Sequence, residues 1–107
     1  MKYLNNHKEL HKEYIIIQRK DDKPSAYGEE YDVRKYREHV VWRFPNDWGA
    51  SVSANALNDF EPELAVVRYK GEEADLAYTT SITNDIIKNV SVPELALYLA
   101  RIQGLAK

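Results

Sequence analysis

In the run His39-Val40-Val41-Trp42-Arg43-Phe44, strand geometry sets Val40, Trp42 and Phe44 on one face and His39, Val41 and Arg43 on the other. The run stops at Pro45-Asn46-Asp47-Trp48-Gly49. Proline presets φ for a turn, asparagine and aspartate tolerate a left-handed backbone, and glycine reaches positive φ at little cost. Ala50, Val52 and Ala54 then alternate with Ser51, Ser53 and Asn55. Residues 39–55 therefore read as a β-hairpin, with Gly49 at positive φ and Trp48 at the tip of the turn, either projecting as a contact residue or packing locally. A hairpin with one apolar face is not stable alone, so this feature demands further strands and a covering layer.

The rest of the chain supplies both. Leu64 to Tyr69, a polar tip at Lys70-Gly71-Glu72-Glu73, and Leu76 to Thr80 repeat the hairpin pattern, with Ala56 to Glu63 as the connection. Ser91-Val92-Pro93-Glu94 is a capping box with proline in the first helical turn. Leu95, Tyr98, Leu99, Ile102 and Leu105 follow at helical spacing, and Gly104 stands where a left-handed cap would end the helix. Upstream, Leu10, Tyr14 and Ile17 also fall at helical spacing, which predicts an N-terminal helix over 6–20 capped by Asn5 or Asn6. The β-branched Ile15-Ile16-Ile17 argues for a strand in the second half of that segment instead. Residues 21–30, rich in Asp and Lys with Pro24, Ser25 and Gly28, read as a mobile connection. The expected fold is α+β: a four-stranded antiparallel sheet of two hairpins over 39–80, an N-terminal helix, and a C-terminal helix over 91–104 packed on one face.

At 107 residues the chain has room for one domain of ordinary size, so residues 1–107 are read as a single domain. Fifteen basic against seventeen acidic side chains leave a net charge of −2, which names no partner by field alone. The chain has no cysteine, so disulfides, thiolate metal sites and cysteine nucleophiles are excluded together. No apolar run approaches the roughly 20 residues of a membrane span, and the N-terminus lacks the apolar stretch of a secretory signal. The expected setting is the cytoplasm, or a host cytoplasm if the chain is viral.

The segment Trp42 to Val52, followed by Leu64-Ala65-Val66-Val67 and by Tyr78-Thr79-Thr80-Ser81-Ile82-Thr83 before a terminal helix, resembles a class of small phage and prophage proteins. Their pattern is an aromatic, Asn-Gly-aromatic-Gly-Ala-Ser-Val hairpin, a Glu-Leu-Ala-Val strand and a Thr-Pro-Ile-Thr segment. The likeness covers about half of the chain and departs from the pattern at Asp47 and at Ser81. It implies a phage or prophage origin and brings no activity, since the class has no assigned function.

Three kinds of chemistry are open to the remaining residues. His7 and His11 are four apart, the spacing at which one helix face can present two imidazoles to zinc, with His39, Asp32 or Glu38 as a third ligand; a solvated helix face is the plainer explanation. Carboxylates gather at Glu29-Glu30-Asp32, Asp59-Glu61-Glu63 and Glu72-Glu73-Asp75; the first and last of these fall in loops, where water equalises their acidities and leaves little for acid–base catalysis. Tyr31, Arg34, Lys35, Tyr36, Arg37, Trp42, Arg43, Trp48, Arg68 and Tyr69 interleave aromatic and cationic groups. Such a set can stack and clamp single-stranded nucleic acid, or simply pack across strands with its cations at the rim. The absence of net positive charge favours packing. The leading expectation is a non-enzymatic protein-binding module without cofactor, possessing Trp48, Trp42, Arg43, Arg68 and Tyr69 as contact residues and able to form a homo-oligomer. Single-stranded nucleic-acid binding ranks second, and a metal-dependent hydrolase third.

Overall fold

A computed structural model describes residues 3–21, 37–54, 59–76 and 86–106. Five strands form one antiparallel sheet in chain order: β1 Ile15–Asp21, β2 Arg37–Arg43, β3 Trp48–Ala54, β4 Glu63–Lys70 and β5 Glu73–Leu76. One helix, α1 (Val92–Gln103), follows the sheet. The α+β class, the antiparallel sheet and the C-terminal helix agree with the sequence. The strand count does not, because the segment expected to be an N-terminal helix supplies a fifth strand.

The N-terminal helix over 6–20 is replaced by two 3₁₀ turns, His7–Glu9 and Lys12–Tyr14, running into β1. His11 between them lies at φ 45°, a left-handed conformation that no continuous right-handed helix admits. Leu10 and Tyr14 still pack against the core, but Ile17 is carried to the opposite face of the sheet, opposite Val41. The β-branched triplet thus prevails over the helical spacing once β2 offers a ladder of backbone partners. Of the expected connection over 21–30, Asp21 closes β1 and residues 22–30 lie outside the described residues, as do 77–80 of the last expected strand.

The first hairpin has the expected faces. Val40, Trp42 and Phe44 on β2 and the residue after it, with Ala50, Val52 and Ala54 on β3, are buried together with Leu64 and Val66 of β4. Helix α1 covers this inner face with Leu95, Leu99 and Ile102, and its capping box is complete: Ser91 Oγ accepts from Glu94 N while Glu94 Oε1 accepts from Ser91 N. Those bonds hold the Glu94 carboxyl below its usual range, the backbone bond being the larger influence.

The turn differs from its expected geometry in two places. Asp47 takes the positive φ, at 62°, whereas Gly49 is an ordinary β3 residue. Gly49 is required by proximity instead: a Cβ there would overlap the Trp42 carbonyl oxygen and come within 3.0 Å of the Tyr69 ring. Beside this turn, at the end of α1, Gly104 is right-handed, at φ −85°. Carbonyls at and just beyond the end of α1 are met by Asn46, whose Nδ2 faces Ile102 O at 2.9 Å, Leu105 O at 3.0 Å and Gln103 O at 3.2 Å. The hairpin turn is therefore the C-terminal cap of α1.

Candidate protein-binding face

The alternation that buries one face of the sheet presents His39, Val41 and Arg43 of β2, Ser51 and Ser53 of β3, and Ala65, Val67 and Tyr69 of β4 on the other. Ile17 joins this outer face opposite Val41, and Leu76 joins it opposite Val67. Val41, Val67 and Tyr69 form a small buried cluster of their own at its centre. Around them is an apolar concavity of about 340 Å³, lined also by Ile16, Ile17, Ala74 and Leu76. Ile16, Ile17 and Leu76 remain 53%, 39% and 50% exposed.

Its polar groups are few. His39 Nε2 and Ser51 Oγ share a 2.7 Å hydrogen bond on the floor, and Glu72 and Asp75 line the β5 side. Arg43 lies 4.5 Å over the centre of the Tyr69 ring and bonds Asp47 Oδ1 at 3.4 Å. Burial raises the Tyr69 phenol above its ordinary acidity range, an effect that the Arg43 charge partly opposes. The His39–Ser51 bond sets one imidazole against one hydroxyl, and the rest of the arrangement is largely apolar. It offers shape and apolar area, with charge at one rim, which is the equipment of a binding surface.

The five expected contact residues divide between the two faces. Arg43 and Tyr69 lie on the outer face and touch each other. Trp42 is wholly buried on the inner face, donating from Nε1 to Leu10 O at 2.7 Å. Trp48 does not project from the turn tip. It begins β3, is 9% exposed, and donates from Nε1 to Ala106 O at 2.8 Å. The Arg68 guanidinium covers the Trp48 ring, 4.8 Å from its centre. Turn residues with little apparent core to enter can thus be anchored by a distant chain segment, here the stretch after α1. Ile16, Ile17 and Leu76 escaped the sequence reading as surface residues. Ile17 was assigned to a helix stripe, and only pairing with β2 turns it outward.

The two N-terminal histidines go to separate places. His7 is buried and its Nε2 donates to Val90 O at 3.0 Å, while its Nδ1 has no partner. His11 packs edge-on to Phe44 and its ring nitrogens lie 3.4 and 3.5 Å from Gln103 Nε2. Without a continuous helix, the four-residue spacing no longer aligns them. Asp32 lies outside the described residues; Glu38 is buried and accepts from Tyr3 N at 2.6 Å. Among the described residues no three His, Asp or Glu side chains gather into a set able to hold a metal ion. No helix there is long and apolar enough to cross a membrane. Compared with family models, curated proteins and solved structures, the chain matches none.

Proposed function

We propose that the chain is a non-enzymatic accessory protein, of the phage or prophage kind its hairpin resembles, that acts by binding another protein through the outer face of its sheet. The observation that carries this reading is the apolar concavity flanked by exposed Ile16, Ile17 and Leu76. Exposed aliphatic residues beside a preformed depression favour an apolar partner surface. Glu72 at the β5 rim favours a segment in which Lys or Arg flanks the apolar side chains. Single-stranded nucleic acid fits less well, because the guanidinium groups of Arg43 and Arg68 are engaged by Asp47 and Tyr69 and by Trp48 respectively.

The test compares a double variant, Ile17→Ser with Leu76→Ser, against Leu97→Ser, which alters an exposed leucine on α1 away from the groove. Proteins captured from a lysate of the expressing cell by the wild type should be retained by Leu97→Ser and lost by the double variant. Identical capture by all three baits would sink the reading. So would sub-micromolar binding of a single-stranded oligonucleotide that Arg43→Ala abolishes.

A further inference from the structure

The sheet ends in two unlike edges, and they complement each other. Among the described residues no strand lies beyond β1 or beyond β5, so both present backbone groups that an added strand could pair. Every residue of β5 is exposed. Its alternation puts Glu73 and Asp75 on the inner-face side, opposite Lys70 and Arg68, and Ala74 and Leu76 on the outer-face side. Glu72, Glu73 and Asp75 make no ion pair among the described residues.

At the β1 edge the sides are matched in kind. Lys8 and Lys12, from the 3₁₀ turns on the inner-face side, stand with Glu9, Ile15, Ile16 and Gln18 around an open groove of about 440 Å³. Lys12 has Glu9 at 3.8 Å, and Lys8 makes no ion pair among the described residues. On the outer-face side β1 offers exposed Ile17. A bulge at Ile16 interrupts the edge, and beyond it Ile17–Asp21 keeps unbroken register with β2, a stretch long enough for the four residues of β5.

We infer that a second copy of this chain docks edge to edge, with β5 of one copy extending the sheet beyond β1 of the next. In a continuous sheet the faces are carried across the junction. Glu73 and Asp75 then meet the side that carries Lys8 and Lys12, and Leu76 meets the side that carries Ile17. The pairing of like edges, β1 with β1 or β5 with β5, would oppose lysines to lysines or carboxylates to carboxylates. The junction is heterologous, so it propagates head to tail into a ring or a filament rather than closing as a two-fold dimer. The edge pairing goes beyond the binding reading above: it shares Ile17 and Leu76 with the groove but takes its specificity from Glu73, Asp75, Lys8 and Lys12 at the edges.

Sedimentation velocity over a concentration series tests it with two charge reversals, Glu73→Lys with Asp75→Lys, and Lys8→Glu with Lys12→Glu. The wild type should grow past a dimer as concentration rises, and each reversal alone should associate on the order of tenfold more weakly. An equimolar mixture should recover assembly, because every junction between unlike copies again opposes acid to base. Leu76→Lys, which keeps both charge sets, should also weaken association. Circular dichroism on each variant separates loss of assembly from loss of fold. A wild type that stays at 12.4 kDa throughout, or a dimer that neither reversal disturbs, would overturn the inference.

Discussion

The inner and outer faces of this sheet use their large side chains differently. On the inner face both tryptophans are buried and both indole N–H groups are bonded to carbonyls far away in sequence, Leu10 O and Ala106 O. On the outer face the largest side chain, Tyr69, is pinned by Arg43, and the apolar residues left open are aliphatic. The contrast shows that the residue types most enriched at interfaces are here committed to joining segments of one chain. The Trp42 bond ties the N-terminal turns to β2, and the Trp48 bond ties the segment after α1 to β3. What remains for a partner is the less conspicuous aliphatic rim.

Truncation of a tryptophan should break the inner face most severely. Trp42→Ala removes a fully buried ring together with its hydrogen bond and should cost about 3 to 5 kcal/mol in denaturant titration. Trp48→Ala should also behave as a core truncation; loss of partner binding without loss of stability would return Trp48 to the surface. Next comes Gly49→Val, whose Cβ has no space beside the Trp42 carbonyl; its destabilisation should reach about 1 to 3 kcal/mol. Asn46→Ala should cost a similar or smaller amount, about 1 to 3 kcal/mol, by removing the side-chain donor that faces the carbonyls at the end of α1. Hydrogen exchange should show the loosening concentrated in the last turn of α1.

The smallest effect belongs to the outer face and appears only in alkali. Burial raises the Tyr69 pKa in the folded state, so the unfolded chain releases its proton first. Any stability linked to this group is complete below the unfolded value and is lost as pH rises through the folded one. Tyr69→Phe should flatten that alkaline decline in thermal melts, and an unchanged decline would assign it to other groups.

The hairpin faces and α1 were legible in the sequence because both are set by local rules: a two-residue alternation for Val40, Trp42 and Phe44, and a capping box with an apolar stripe for α1. Strand β1 was legible only as an alternative, since Leu10, Tyr14 and Ile17 satisfy helical spacing, Ile15-Ile16-Ile17 favours a strand, and only the partner strand decides the contest. The roles of Asn46 and Trp48 were hidden for the same reason. Turn chemistry explains the bend, but the bonds that fix these side chains span more than fifty residues. Within the candidate site, Arg43 and Tyr69 could be named from the sequence as an aromatic and cationic pair. Their neighbours Ile17 and Leu76 could not, because their exposure follows from tertiary pairing.

Acrylamide quenching of the native protein's tryptophan emission tests most directly whether the inner face has taken both indoles. Blue-shifted emission with weak, uniform quenching that rises sharply only on unfolding is expected, since Trp42 and Trp48 are the chain's two tryptophans and both are buried. A readily quenched, red-shifted component in the folded protein would place one tryptophan in solvent and contradict the division of roles between the two faces.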